Sequence, residues 1–468
     1  MKFHNIERIH FVGIGGSGMN GIAEVLINQG FTVTGSDLAD TDVTRRLESL
    51  GGKVVRGHHA DNVRGAQVVV VSTAVKRDNV EVVAAREAGI PVIQRAEMLA
   101  ELMRPKYGVA VAGAHGKTTT TSLVATVLGE GGLDPTVVIG GRLNQYGASA
   151  KLGKGRYMVA EADESDGSFL KLFPTVAVIT NIDREHLDFY GDMDAIRGAF
   201  IQFASKVPFY GCVVLCLDEA PLQALLPEIR QAGKRVVTYG FTPQADLRGD
   251  DLDLSPAGAR FSASFRGHDL GTFRLPVTGR HNAQNAMAAL CVGLDVGVDV
   301  EVMRRALAGF SGVGRRFERK GEAAGVTVVD DYGHHPTEVQ AVLAAARESF
   351  PERRLIVVFQ PHRYTRTRDQ MEGFARAFHA ADTLLLMDIY AAGEAAIPGI
   401  SSPALLERVK DFGHRDARHL ARHDDVLATL AAETAPGDVI LTLGAGDVWR
   451  VGTEFLNRAQ RTSQAGGA

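Results

Sequence analysis

Residues 108–121, Gly-Val-Ala-Val-Ala-Gly-Ala-His-Gly-Lys-Thr-Thr-Thr-Thr, constrain this chain more than any other stretch. A short apolar run at 109–112 is expected to form a strand. It leads into a loop of small residues ending at Gly116-Lys117-Thr118, where a helix is expected to begin. A strand that turns through glycines straight into a helix leaves backbone N–H groups pointing past the turn. The helix N-terminus adds partial positive charge there, so the natural occupant is a phosphate. Lys117 can reach the outer phosphates, and Thr118 can offer its hydroxyl to a magnesium ion. Val111 stands where the usual phosphate-loop pattern has a glycine, five positions before Gly116. The loop is therefore a shortened variant whose glycines are Gly113 and Gly116, and the expected cofactor is ATP with Mg2+.

A second glycine pattern opens the chain. Gly13-Ile-Gly15-Gly16-Ser17-Gly18 fits G-x-G-x-x-G between an expected strand at 8–12 and an expected helix at 19–29. Asp37 follows Gly18 by 19 residues and ends the second expected strand. This is the dinucleotide-binding arrangement, including the acid that can bond a ribose hydroxyl. Taken alone, it suggests an NAD-dependent dehydrogenase. The same device holds any nucleoside diphosphate, a UDP-sugar included. A separate nucleotide site at Lys117 suggests one nucleotide as energy source and another as substrate handle.

The length of 468 residues accommodates about three domains. Strands at 8–12, 31–34, 54–55 and 68–72 alternate with helices, which favours a parallel sheet. A polar, proline-marked segment at 103–107 places the first border, giving a domain at 1–106. A second domain, 107–313, holds the phosphate loop, strands at 157–161, 176–180 and 212–217, a small antiparallel excursion within 246–275, and a helix at 282–292. A third, 314–468, has strands at 326–329, 355–359, 383–387 and 439–442. The expected class is α/β: a Rossmann-like first domain, a central phosphate-loop ATP-binding domain and a Rossmann-like third domain.

Lys and Arg total 51 against 55 Asp and Glu, a net charge of −4, which argues against a basic nucleic-acid-binding surface. The three cysteines, Cys212, Cys216 and Cys291, read as buried thiols, without a second pair or a histidine cluster to make a metal site. No run of about 18 apolar residues appears, and the N-terminus carries no secretory pattern. The expectation is a soluble cytoplasmic protein with no membrane partner, monomeric or homodimeric.

Two polar clusters follow apolar strands. Glu161-Ala-Asp-Glu-Ser-Asp166 supplies hard oxygen ligands at a strand end, with Glu161 the first choice for magnesium and Glu164 and Asp163 in reserve. Asn181-Ile-Asp-Arg-Glu-His-Leu-Asp188 places His186 where it could hold a metal or meet a phosphate. A third run, Pro361-His-Arg-Tyr-Thr-Arg-Thr-Arg368, follows another apolar strand and suits capture of carboxylate or phosphoryl oxygens.

With Gly279-Arg-His-Asn-Ala-Gln-Asn285, these stretches closely resemble the Mur ligase family over essentially the whole length. These are ATP-dependent amino acid ligases of bacterial cell-wall precursor synthesis. Residues 10–19, 330–338 and 359–368 resemble the branch whose substrates are UDP-N-acetylmuramate and L-alanine. The resemblance implies a UDP-binding domain, a central ATP-binding domain and a C-terminal domain that closes over the site. It implies that Gly113, Ala114, His115, Gly116, Lys117, Thr118 and Thr119 cradle the ATP phosphates, with Thr118, Glu161 and His186 at the metal. His281, Asn282 and Asn285 would lie near adenine and ribose, and Arg316 and Asp331 would contact ATP. Gly13, Gly15, Gly16, Ser17, Gly18, Asp37 and Ser72 would serve the UDP-sugar. Tyr332, His334, Arg363 and Arg366 would line the alanine and acyl-phosphate end. The catalytic set is then Lys117, Glu161, His186, His334 and Arg363, and no carbamylated lysine is implied.

A carboxylate is a poor electrophile, and ATP can convert it into an acyl phosphate that an amine attacks. Such chemistry needs charge neutralisation more than a protein nucleophile. His334 or His335 could assist in deprotonating the amine. A dehydrogenase would leave Lys117, Glu161 and the arginine run without a role. A non-catalytic nucleotide sensor would need the loop to bind without turnover. The nearest enzymatic rival is the family's tripeptide-recycling ligase acting on the same UDP-sugar.

Overall fold

The computed structural model describes all residues except 1, 2, 4, 17, 144–147 and 466–468. The chain folds into two compact units: Met1–Asp251 with Phe261–Leu275 and Gln284–Val313, and Leu252–Arg260 with Pro276–Ala283 and Gly314–Ala468. Among the described residues the strands form three sheets, of five, ten and six strands.

The first sheet runs in the order Lys53–Arg56, Thr32–Asp37, Arg8–Val12, Val68–Val71, Val92–Gln94, all parallel. Chain order reverses direction across Arg8–Val12, which opens a crevice at the carboxyl end of that strand, where Gly13–Gly18 lies. Phe11, Val12 and Ile14 are fully buried, so the strand is fixed by burial on both faces. The strand read at 31–34 extends from Thr32 to Asp37, keeping Asp37 as its last residue. Val92–Gln94 lacks a strong apolar run and was not expected.

The ten-stranded sheet brackets the phosphate-loop strand Tyr107–Ala112 between Tyr157–Glu161 and Val176–Ile179, both parallel to it. The helix that follows the loop, Lys117–Glu130, is buried from Thr118 through Leu128. Two of its hydroxyls are satisfied within the helix: Ser122 Oγ donates to the Thr118 carbonyl at 2.7 Å and Thr126 Oγ1 to the Ser122 carbonyl at 2.8 Å, whereas Thr121 Oγ1 is buried without a partner among the described residues. The antiparallel excursion is real, but it continues the same sheet. Leu247 and Arg248 pair in parallel with Tyr239 and Gly240, and the strands Leu247–Ser255, Gly258–Phe265 and His268–Leu275 follow in order to the edge. The helix read at 282–292 spans Arg280–Val296, so His281 and Asn282 lie in its first turn. Cys212, Cys216 and Cys291 are free and buried, and burial pushes the thiols of Cys212 and Cys216 up to about 12.

The third sheet runs Glu318–Ala323, Val326–Asp331, Val439–Leu443, Leu355–Phe359, Thr383–Leu386, Ala417–His419. It is parallel except for its first strand, which pairs antiparallel with Val326–Asp331. Among the described residues no helix is long and apolar enough to cross a membrane.

The first sheet also buries a charged group. Glu81 is fully buried and accepts from Ser36 Oγ at 2.6 Å, from His59 N at 3.3 Å and from Asn62 Nδ2. Burial alone would raise its carboxyl. Contacts with His10, Ser36 and Asn62 outweigh that and bring it down to about 2. A depressed carboxyl pKa contributes stability that is present above the unfolded value and lost as pH falls toward the folded one. Glu81→Gln is therefore expected to lower stability by roughly 2–3 kcal/mol at neutral pH. The deficit should narrow as pH falls from 4.5 toward 2. Thermal melts of both proteins across that range check this, and a gap that stays constant would refute it.

Candidate active site

In the first unit, three segments converge on the carboxyl end of Tyr107–Ala112: the phosphate loop, residues 162–168, and residues 180–186. Asn181 organises them. Its carbonyl accepts from Ala114 N at 3.3 Å, its Oδ1 accepts from His115 N at 2.8 Å, and its Nδ2 donates to the His115 carbonyl at 3.0 Å. Thr180 Oγ1 donates to the same carbonyl at 2.6 Å. The loop's upstream groups are thus consumed by the neighbouring strand end. The first closing bond of the helix runs from Thr120 N to Gly116 O at 2.9 Å. The N–H groups of Lys117, Thr118 and Thr119 precede it and have no acceptor within the helix. These are the donors that a phosphate group requires. His115 Nε2 and Asp183 Oδ2 are 3.0 Å apart, which orients that ring.

Lys117 occupies the mouth of the loop. Its Nζ donates to Gly113 O at 2.5 Å, Ala114 O at 3.0 Å and Glu164 Oε1 at 2.8 Å. Burial would lower the ammonium pKa, but Glu164, Asp163 and Glu185 outweigh it and hold the lysine charged. Burial lifts the Glu164 carboxyl above the ordinary glutamate range against the pull of Lys117. Glu164 Oε2 is buried with no hydrogen-bond partner among the described residues.

Glu164, Glu185 and His186 bring one ligand atom each within 4.8 Å of one another. Two carboxylates and an imidazole, with one carboxylate oxygen unsatisfied, fit a divalent cation. The sequence reading placed Glu161 first and Glu164 in reserve. The fold gathers Glu164 with His186, while Glu161 ends its strand in register with Val111. The turn after Glu161 carries Glu164 over the loop to Lys117. Glu185 joins the group beside His186, whose φ of +57° turns the chain there.

Asn285 lies beneath the loop. Its Oδ1 accepts from Thr120 Oγ1 at 3.0 Å, and a Cβ on Gly116 would sit 2.7 Å from it. Thr118 and Thr119 are buried at the helix start.

The first glycine loop is stitched to the strand beside it. Gly13 N and Ile14 N donate to Ser36 O at 2.9 and 3.0 Å, and Gly15 N donates to Asp37 Oδ2 at 2.9 Å. Asp37 Oδ1 accepts from Ala39 N at 3.2 Å. The carboxylate that the sequence assigned to a ribose therefore also shapes the loop. Gly16 N donates to Gly13 O at 3.1 Å, and Gly18 precedes the helix Met19–Asn28. Ser72 lies one residue past the strand Val68–Val71. Ser17 lies outside the described residues.

The second unit holds Tyr332, His334, Arg363 and Arg366, together with Arg315, His362 and Tyr390, which sequence did not single out. The Tyr332 ring has the guanidiniums of Arg315 and Arg316 5.0 and 5.2 Å from its centroid. The His334 and His362 rings are 6.0 Å apart, and His362 stacks on Tyr390 at 5.5 Å with a 9° interplanar angle. Arg366 Nη1 is 3.3 Å from His362 Nδ1. Burial, with His334, Arg366 and Arg363 nearby, pushes His362 down to about 3, so it is neutral at physiological pH. His334 Nδ1 is 3.0 Å from Tyr332 O and 3.3 Å from Glu338 Oε2. Arg363 has a φ of +72° and its N–H donates to Tyr390 O at 2.8 Å, which turns the chain into Tyr364–Asp369.

Arg316 pairs with Glu338 at 3.8 Å. Asp331 accepts from Phe317 N at 2.7 Å and Gly333 N at 2.6 Å, and burial lifts its carboxyl to about 6. His281 and Asn282 belong to this unit, with Asn282 Nδ2 donating to Thr278 O at 2.7 Å.

Three family descriptions match in series: Mur ligase family, catalytic domain, at residues 8–107; Mur ligase middle domain at 111–293; and Mur ligase, glutamate ligase domain, at 315–446. The chain is 55% identical over 463 residues to a UDP-N-acetylmuramate–L-alanine ligase of Geobacter sp. strain M21, covering 99% of this chain and 100% of that one. It is 56% identical over 448 residues to the enzyme of that name from Desulfatibacillum aliphaticivorans, covering 96% and 98%. Its fold is similar to the crystal structure of UDP-N-acetylmuramate-alanine ligase MurC from Thermotoga maritima, with a TM-score of 0.82, 29% identity, and coverage of 97% and 99%.

Proposed function

This chain belongs to the Mur ligase family, and from that premise we propose that it joins L-alanine to the carboxylate of UDP-N-acetylmuramate at the expense of ATP. The observation that carries this reading is Lys117, a charged ammonium held in a glycine-loop mouth beside a buried carboxylate. The tripeptide-recycling and dehydrogenase readings are not favoured. Full-length relatives above 50% identity bear the alanine-ligase name, and neither Lys117 nor the Glu164 cluster has work in hydride transfer.

The muramyl carboxylate oxygen attacks the γ-phosphorus of ATP, and ADP leaves. The alanine amine then attacks the acyl carbon, inorganic phosphate leaves, and the amine proton passes to a base or to phosphate. Lys117, freed from Glu164 when phosphate enters, neutralises charge on the transferring group. The N–H groups of Lys117, Thr118 and Thr119 orient the phosphate chain. Thr118, Glu161 and His186, with Glu164 and Glu185 grouped beside His186, would hold Mg2+, which supplies further charge neutralisation when bound. Arg363, Arg366, Tyr332 and His334 serve the alanine carboxylate and the acyl phosphate, while Arg316 and Asp331 serve ATP. Asp37, Ser72 and the 13–18 loop hold the UDP-sugar. Residues 1–106, 107–313 and 314–468 act as the UDP-binding, ATP-binding and ligase domains of a cytoplasmic enzyme.

ADP release should require UDP-N-acetylmuramate, L-alanine and a divalent metal together. Turnover indifferent to either substrate would refute the assignment. A Cβ on Gly15 would lie 3.0 Å from Asp37 Oδ2 and 3.1 Å from Thr44 Cγ2. Gly15→Val therefore pries the loop from its strand, and KM for the UDP-sugar should rise more than about tenfold at unchanged KM for ATP. Unaltered affinity for the UDP-sugar, measured by calorimetry, would remove the first loop from the site.

A further inference from the structure

We infer that Arg95 binds the diphosphate of the UDP-sugar and, through Asp163, couples that event to the ATP loop. The inference rests on the reading that residues 13–18 hold the UDP-sugar. Arg95 opens the helix Arg95–Met103 directly after the edge strand Val92–Gln94 of the first sheet. Gln94 N donates to Glu97 Oε2 at 2.8 Å, which pins that helix start.

The Arg95 guanidinium touches two places. Nη2 donates to Asp163 Oδ2 at 3.0 Å, and a Cβ on Gly18 would lie 2.5 Å from Nη1. Any side chain at Gly18 would displace the guanidinium, so the last glycine of the loop is also the seat of this arginine. A guanidinium carries five N–H donors. The bond to Asp163 uses one, and Arg95 makes no other hydrogen bond among the described residues. The Arg95 side chain is only 21% exposed. A planar cation so enclosed, with uncommitted donors over a glycine turn, suits bidentate capture of phosphate oxygens.

Asp163 adjoins Glu164, the partner of Lys117. Two cations, one beside each glycine loop, thus hold consecutive carboxylates of the same turn. When phosphate draws Arg95, the grip on Asp163 changes, and the adjacent Glu164–Lys117 pair is biased toward or away from ATP. A partly exposed ion pair serving only to join two sheets would contribute little and would be indifferent to nucleotide. Coupling of two ligands through such a link is reciprocal.

Calorimetry on the full chain tests this with UDP-N-acetylmuramate and a non-hydrolysable ATP analogue, each alone and in the presence of the other. Arg95→Gln should weaken the UDP-sugar about 30-fold while leaving the ATP analogue alone within about threefold. It should also abolish the effect of each ligand on the other. Arg95→Lys should recover part of the affinity, because the charge returns without the fork. Asp163→Asn should keep most of the UDP-sugar affinity and lose the mutual effect. Arg95→Gln binding both ligands like the unsubstituted protein would overturn the inference. So would an equal loss for both ligands, which marks a merely structural role. Failure of the unsubstituted protein to bind the UDP-sugar would instead overturn the reading of the first loop, and this inference with it.

Discussion

Lys117→Ala is expected to cut kcat/KM by about a thousandfold or more while the fold survives. The lysine is the one cation among the described residues shown bonded both to the loop carbonyls and to Glu164. Its loss has a second consequence. Glu164 stays buried, now without its opposing charge, and its already raised carboxyl pKa rises further. A carboxyl raised in the folded state binds its proton more tightly there than in the unfolded chain, so stability falls as pH climbs from the unfolded value through the folded one. The variant should therefore melt close to the parent near pH 6 and increasingly below it toward pH 9. Steady-state kinetics with circular-dichroism melts at both pH values check the two parts. Turnover within tenfold of the parent would dismiss Lys117 as the phosphate-neutralising group. A melting gap independent of pH would dismiss the role of Glu164.

Gly113→Ala should be nearly as damaging, for a steric reason. Gly113 has a φ of +133°, which side chains with a Cβ rarely adopt, and its Cβ would be driven into Thr180 Oγ1 and to 3.0 Å from Asn181 O. Thr180 Oγ1 cannot retreat freely, because it donates to the His115 carbonyl at 2.6 Å. Strain and overpacking together should cost roughly 2–4 kcal/mol, and the displaced loop should raise KM for ATP more than about tenfold. Binding of the UDP-sugar should persist, since the first glycine loop is not involved. Thr180→Ala added to Gly113→Ala should restore only part of the loss, because the Asn181 backbone still obstructs. Full recovery in the double variant would place the strain at Thr180 alone. An unperturbed KM for ATP would detach the loop from the nucleotide.

The glycine spacings, Asp37 and Lys117 were legible in the sequence because they are local. A turn between a strand and a helix draws on a few adjacent residues, whose conformational demands are written in their types. Long apolar strands such as Val68–Val71 and Leu355–Phe359 were legible for the same reason. Short edge strands such as Val92–Gln94 and Ala417–His419 were not, since they are defined by pairing and carry little pattern of their own.

At the candidate site, sequence singled out segments, and the fold selected side chains within them. Glu164 and Glu185 come together with His186 because loop backbones, which no local pattern encodes, carry those carboxylates back over the helix start. His362 and Arg95 emerged only from packing: one is neutralised by burial among cations, the other is seated on Gly18 by a contact 77 positions away along the chain. By itself the sequence determined that two glycine turns would join a strand to a helix, and which cation would stand at the second. Tertiary structure alone decided which carboxylates face that cation and what charge they carry, because ionisation follows burial and proximity, and both are properties of the folded chain.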